Sequence, residues 1–321
     1  MPVVPMFHAM VWGYPYTSAL VGAKLVYPGP HLDPQSLLED LEQEGVTASA
    51  GVPTIWMGML ALLDREPDRF DLSKLRAMLV GGSAAPRSLI AGFKQRHGIQ
   101  IVHGWGMTET SPLASISGLV GELHDADEET QLDVIAMQGL PLPFVELRAR
   151  DDGGTEISWD GETMGELEVR GPWVAASYYD TPEQADRWTN DGWFRTGDIV
   201  SFHPLGYVQI KDRSKDVIKS GGEWISSVEL ENALMAHPAV AEAAVIAIPD
   251  PKWDERPLAA VVLREGASAT AEELREFLAP QFAKWWLPDP FEFVDEIPKT
   301  AVGKFRKMAL RERFAGSPTT T

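Results

Sequence analysis

The first 120 residues alternate short apolar runs with runs that carry helix start and stop signals, and this alternation constrains the fold more than any other feature. Asp33 before Pro34 is an N-cap with proline at the first helical position, and Gly45 closes that helix. Val46 to Ala50 then reads as a strand, Thr54 to Leu63 as a helix and Ala77 to Val80 as a strand. Pro86 to Arg96 reads as another helix and Ile99 to His103 as another strand. Ala19 to Tyr27, apolar and closed by Pro28-Gly-Pro30, is expected to be a further strand. Such alternation builds a mostly parallel sheet with crossover helices, and these sheets bind ligands beyond the carboxyl ends of their strands. Two glycine-rich turns are expected there, Gly81-Gly-Ser-Ala-Ala85 and Gly104-Trp-Gly106.

From about Leu140 to Lys211 the pattern changes to short alternating strands. Phe144 to Arg150 and Glu166 to Arg170 flank an Asp151-Asp-Gly-Gly154 turn, and Gly206 to Lys211 forms another strand, which predicts a small barrel or sheet. After Arg213 the chain reads as compact α+β. Ser226 and Glu229 form a capping box before a helix over Val228 to Ala236, and Pro238 stops it. Val240 to Ile248, Leu258 to Leu263 and Phe291 to Val294 read as strands, Thr270 and Glu273 cap a second helix, and Met308 to Phe314 forms a last one. Two domains are natural for 321 residues. The boundary is placed at Asp212 to Lys215, giving a large domain over 1–212, its β subdomain at about 140–211, and a small domain over 213–321.

Composition excludes several classes. With 28 basic against 47 acidic residues the net charge is −19, whereas a general nucleic-acid binder would be basic. Lys299 to Arg313 is the exception, with six basic side chains and one acid; it caps the last helix, meets an anionic ligand, or does both, since the two readings are compatible. No cysteine is present, so disulfides, thiolate nucleophiles and zinc-thiolate sites are excluded, and the cytoplasm is the default compartment. No run approaches the roughly 18 to 20 apolar residues of a membrane span. Pro2 and Pro5 interrupt an N-terminus that lacks the basic start of a signal peptide.

Four segments carry chemistry. In Gly104-Trp-Gly-Met-Thr-Glu109 the glycines allow close backbone approach, Trp105 offers a flat face, Thr108 a hydroxyl, and Glu109 a hard oxygen suited to Mg²⁺. The same segment also fits a plain turn around a buried tryptophan. Arg195-Thr-Gly-Asp198 sets a carboxylate after a tight turn, suited to paired ribose hydroxyls or equally to an Asx-turn or ion pair. Asp212 to Trp224 mixes charges with glycines, as a solvated linker would, yet Val217-Ile218 within it points to ordered packing. Finally, Gly303 frees the backbone before Lys304, a compact mobile charge suited to meeting a carboxylate and a phosphate together. No zincin spacing and no Gly-x-Ser-x-Gly elbow occurs, which argues against a serine hydrolase.

The order of these motifs is specific. Pro5-Met-Phe-His8, Gly81-Gly-Ser-Ala-Ala-Pro86, Gly104 to Glu109, Gly165-Glu-Leu-Glu-Val-Arg-Gly171, Trp193-Phe-Arg-Thr-Gly-Asp198, Asp212-Arg213 and Gly303-Lys304 follow one another along the chain. This series resembles the adenylate-forming superfamily of acyl-CoA synthetases, firefly luciferase and nonribosomal adenylation domains. Ile218 to Ser226 and Trp285-Trp-Leu-Pro288 look most like the bacterial medium- and long-chain fatty acyl-CoA synthetases.

The resemblance implies a partial large α/β domain, its sheet joined by a small β-barrel-like subdomain, followed by a small mobile α+β domain. It implies a ligase in which a fatty acid and ATP form acyl-AMP and pyrophosphate, after which the small domain rotates and CoA displaces AMP. Lys304 is then the adenylation lysine, with Thr108 on the phosphate and Glu109 on Mg²⁺. Gly82, His103, Gly104 and Trp105 belong to the adenine slot, and Asp198 and Arg213 to the ribose. Lys215 falls at the hinge, Lys219 and Trp224 face the nucleotide, Trp12 gates the acyl tunnel and His8 lies at its mouth. Taken alone, Trp12 and His8 also read as core residues. His103 stands where relatives usually carry glutamine, and Trp105 where they carry tyrosine. The implied ligands are ATP, Mg²⁺, CoA and a fatty acid, with homodimerisation and peripheral membrane association through the substrate as further implications. Relatives carry a Ser/Thr/Gly-rich phosphate loop before the Phe7-His8 motif, and here Met1 stands almost on that motif. An exposed sheet edge is therefore expected. The chain is also expected to be the C-terminal three-fifths of such a ligase, without its phosphate loop and inactive alone; a non-catalytic nucleotide- or acyl-CoA-binding chain, or half of a split enzyme, is the alternative reading.

Overall fold

The computed structural model describes residues 1–300 and 305–314. The chain divides into two compact units, Met1–Thr196 with Val200–Ile210, and Gly197–Ile199 with the chain from Lys211 onward.

In the first unit, strands β1 (Ala48–Gly51), β2 (Ala77–Val80), β3 (Gln100–Gly106), β4 (Leu113–Ile116) and β5 (Leu140–Pro141) form one sheet in that order. The first three are parallel, with β1 on β2 and β2 on β3, and β4 and β5 add antiparallel. Helix Pro34–Gln43 leads into β1, and helices Pro53–Arg65 and Arg87–His97 supply the two crossovers. Asp33 accepts from the Ser36 N–H as the first helix begins, and the apolar side chains Leu37, Leu38 and Leu41 bury its inner face. Trp56, Met59, Ile90 and Phe93 from the next two helices join the same core.

Several expectations are corrected here. Residues Ala19 to Tyr27 form no strand; Tyr14–Val21 is a helix, started by Pro15 and closed by left-handed Gly22. Leu20 and Val21 are exposed, so the apolar run has no sheet to join. The edge of β1 is instead occupied by residues 1–3: Val3 N–H donates to Ala50 O at 2.7 Å and Ala50 N–H to Met1 O at 3.2 Å. The expected open edge is thus partly paired. Gly104-Trp-Gly106 is not a turn but the continuation of β3, opposite Ile116, Ser115 and Leu113. Close approach explains the last glycine, since a Cβ on Gly106 would lie 1.9 Å from Pro112 O.

The second sheet of this unit, β6 (Glu146–Arg150), β7 (Gly165–Arg170), β8 (Phe194–Phe202) and β9 (Val208–Arg213), is four-stranded and open, not a barrel. Arg195 to Asp198 lies within β8, not after a tight turn, and Gly197 takes a left-handed φ of 74° inside the strand. Leu167, Val169, Phe194, Val200 and Val208 make its core.

In the second unit, the strands run β11 (Glu223–Ile225), β10 (Ile218–Ser220), β13 (Asp254–Leu263), β12 (Val240–Asp250), with β14 (Phe291–Phe293) paired to β13. The long strand β12 shows a two-residue period: Ala243 and Val245 pack with helix Ser227–Met235, Ala244, Ile246 and Ile248 with helix Lys307–Phe314. Thr270 and Glu273 form a reciprocal capping box on helix Ala271–Leu278. Ser226 caps its helix, but the return bond from Glu229 is missing, because that carboxylate pairs with the Lys211 ammonium at 2.6 Å. No described helix is long and apolar enough to cross a membrane.

Candidate active site

In the first unit the carboxyl ends of β2 and β3 meet. Gly81 follows β2, and a Cβ on it would lie 3.4 Å from Gly104 O and 3.2 Å from the Trp12 ring. Trp12 therefore lies beside Gly81, near Gly104. It is held there by an unusual backbone: Ala9, Met10, Val11 and Trp12 all have φ between 45° and 56°. Left-handed geometry costs roughly 1–2 kcal/mol per non-glycine residue, and burial of Val11 helps offset it. Gly82 is also left-handed, at φ 83°, a conformation free to glycine. His8 is half-buried, and its N–H donates to Pro5 O at 3.0 Å.

Beyond β3 the chain turns through Thr108–Thr110. Buried Thr110 fixes this turn: its hydroxyl donates toward Pro112 O at 2.7 Å and accepts from Met107 N–H at 2.9 Å. The turn presents Thr108 to solvent and leaves Glu109 half-buried. The Tyr178 hydroxyl donates to Glu109 Oε1 at 2.5 Å. Burial, then the hydrogen bond to Glu109, pushes the Tyr178 phenol up to about 12.

His103 and Trp105 point away from solvent. His103 is 1% exposed, with Nδ1 3.0 Å from Ala136 O and Nε2 3.4 Å from both Ala85 N and Gln138 Nε2. Burial lowers its pKa to about 4, so the ring is neutral and ties the Gly81–Ala85 loop to β3. Trp105 is 6% exposed and packs in the core with Ala114, Val145 and Leu167. The flat face expected of Trp105 is thus turned into the core.

In the second unit, Asp198 is buried and its Oδ1 lies 2.8 Å from the exposed Arg213 Nε. Lys219 and Trp224 face each other across the β10–β11 hairpin, with Nζ 5.7 Å from the ring centroid. Lys215 is exposed, and its carbonyl accepts from Arg311 Nη2 at 3.3 Å. Lys304 and Gly303 lie outside the described residues.

Sequence reasoning missed a buried charge cluster in the second unit. Lys307 Nζ is 2.7 Å from Glu231 Oε1 and 2.5 Å from Ser227 Oγ. Ser227 in turn donates its N–H and hydroxyl to Asp212 Oδ2 at 2.7 and 2.5 Å. Burial raises Glu231 to about 6 and also raises Asp212. Burial alone would lower Lys307, but the two carboxylates outweigh it and hold the ammonium charged. The helix pattern marks Lys307 only as a polar residue at a helix start, so its partners were invisible. Tyr178 was missed for the same reason.

Among the described residues no three His, Cys, Asp or Glu side chains gather as a metal cage. A single carboxylate such as Glu109 nonetheless suits Mg²⁺, which is commonly held by one or two carboxylates together with substrate phosphates and water.

Residues 1–179 match the family described as AMP-binding enzyme, and residues 229–304 match the AMP-binding enzyme C-terminal domain. The chain belongs to the AMP-binding enzyme family. It is 54% identical to a long-chain-fatty-acid–CoA ligase of Thermus thermophilus over 98% of its own length and 58% of the relative's. It is 42% identical to a medium-chain-fatty-acid–CoA ligase of Ectopseudomonas oleovorans, with 98% and 57% covered. Among solved AMP-binding structures, ATP-bound MatB from Rhodopseudomonas palustris superposes with TM-score 0.83 at 27% identity, covering 98% of this chain and 59% of that one. The anthranilate CoA ligase AuaEII, in complex with anthranoyl-AMP, gives TM-score 0.83 at 28% identity, with 97% and 58% covered. This member of the family thus spans somewhat under three-fifths of the curated relatives it matches.

Proposed function

We propose that the chain serves an ATP-dependent acid–thiol ligase that activates a medium- or long-chain fatty acid and transfers it to CoA. The observation that carries this is the 54% identity to a long-chain-fatty-acid–CoA ligase over nearly the whole chain, which includes the Thr108–Glu109 turn. In the first half-reaction a carboxylate oxygen of the acid attacks the α-phosphorus of ATP, and pyrophosphate leaves. In the second, the CoA sulfur attacks the acyl carbon, and AMP leaves with the electrons of the acyl–phosphate bond.

Each residue has a role that follows from its chemistry. Thr108, exposed at the end of β3, donates its hydroxyl to a phosphate oxygen. Glu109 would hold Mg²⁺, which when bound neutralises phosphate charge. Gly82, Gly104 and Trp105 belong to the adenine slot, and buried His103 ties the Gly81–Ala85 loop to β3 through Ala85 N. Asp198 and Arg213 take the ribose, Lys219 and Trp224 the nucleotide face of the second unit, and Lys215 the hinge. Trp12 and His8 border the acyl path. Lys304 stabilises the charge that develops at the α-phosphorus, a preorganised electrostatic role.

The test is fatty-acid-dependent exchange of pyrophosphate into ATP by the purified protein. Lys304→Ala is expected to lower that exchange by about 10²-fold or more, while sparing thioester formation from supplied acyl adenylate. Equal loss in both half-reactions would sink this assignment. A second reading is a chain that binds nucleotide without catalysing adenylation. That reading predicts nucleotide binding by calorimetry without exchange.

A further inference from the structure

Glu109 is held by a strap of chain that no motif marks. Residues Trp173 to Tyr178 cross the Thr108–Ser111 turn and are fastened to it at several points. Ala175 N–H donates to Glu109 O at 2.8 Å, and the Ser111 hydroxyl donates to Trp173 O at 2.9 Å. Trp173 Nε1 reaches Leu113 O at 3.3 Å, and Trp188 Nε1 holds Ala175 O at 2.9 Å. The Tyr178 ring stands edge-on to Trp188 and Phe194, with centroids 5.2 and 6.5 Å away. With backbone and ring both fixed, the hydroxyl has one described destination, Glu109 Oε1. The neighbouring Tyr179 is 96% exposed, so two adjacent tyrosines have opposite environments.

We propose that Tyr178 is a positioning residue for Glu109. Its hydroxyl holds one carboxylate oxygen and so restricts the carboxylate, leaving the other oxygen for the cation that Glu109 would hold. This rests on the reading of Glu109 as the magnesium-binding carboxylate. A carboxylate on a solvent-facing turn otherwise rotates freely about its side-chain torsions, and fixing it removes an entropy cost at the moment the cation binds. The strap also links two motifs far apart in the chain, so the geometry of Glu109 is set by the β6–β9 sheet as well as by β3.

Tyr178→Phe keeps the ring in its aromatic contacts and removes only the hydroxyl. Calorimetric titration of ATP at a series of Mg²⁺ concentrations reads the effect directly, without catalysis. The half-saturating Mg²⁺ concentration is expected to rise about 10-fold, the scale typical of an outer partner of a metal ligand. AMP affinity without metal is expected to stay at its wild-type value, the melting temperature to fall by no more than the loss of one hydrogen bond accounts for, and Tyr179→Phe to change none of the three. Glu109→Gln supplies the reference for loss of the carboxylate. If Glu109→Gln raises the Mg²⁺ requirement and Tyr178→Phe does not, the positioning role is overturned while the role of Glu109 stands. If Tyr178→Phe weakens AMP binding and melting as well, Tyr178 is a packing residue and the proposal fails. If Glu109→Gln leaves the Mg²⁺ requirement unchanged, the reading of Glu109 falls and takes this inference with it.

Discussion

His103 shows how a residue can matter to a site without facing it. Its ring is buried, neutral and bonded to Ala136 O, with pKa near 4 against an ordinary 6.5. The unfolded chain therefore takes up a proton below about pH 6.5, while the folded chain resists until about pH 4. Stability from this group is fully present above pH 6.5 and is lost as pH falls through that window, by about 3 kcal/mol in total. His103→Gln retains a donor and an acceptor but cannot titrate. Urea unfolding of this variant at neutral and acid pH is expected to show a shallower loss of stability than wild type. The sequence marked His103 as unusual for its position; only the partners Ala136, Ala85 and Gln138 reveal why a neutral ring is required.

At the scale of elements, local signals were legible and long-range ones were not. Thr270 and Glu273 gave a helix start that the structure reproduces, because both halves of a capping box lie within one turn. Ser226 and Glu229 offered the same signal, yet Glu229 is claimed by Lys211, a residue 18 positions earlier. Ala19 to Tyr27 failed as a strand because apolar composition alone does not supply a pairing partner. Helix Lys307–Phe314 depends on distant charges of the same kind. Lys307→Met would leave Asp212 and Glu231 buried together without their cation, at a cost of about 3–5 kcal/mol. Chemical denaturation of the purified variant is expected to show that loss, and a change below about 1 kcal/mol, the level of a surface ion pair, would show the cluster to be hydrated.

For the whole molecule, two compact units with cores of their own imply two cooperative transitions. One core gathers Trp56, Met59, Ile90 and Phe93; the other gathers Leu230, Leu234, Val245 and Val261. Scanning calorimetry is expected to resolve two melting events, with Lys307→Met moving one and His103→Gln, at acid pH, moving the other. A single event moved by both variants would contradict this. By itself the sequence determined the α/β alternation of the first unit, the α+β character of the second and the motif order that marks the family. These are written in periods of two to four residues and in glycines and caps, whose physics is local. The tertiary structure alone decided that Gly104 to Gly106 continue a strand, that His103 and Trp105 are buried, and that Tyr178 reaches Glu109 across 69 positions of chain. Those outcomes depend on which distant surfaces exclude water together, and no short window of sequence carries that information.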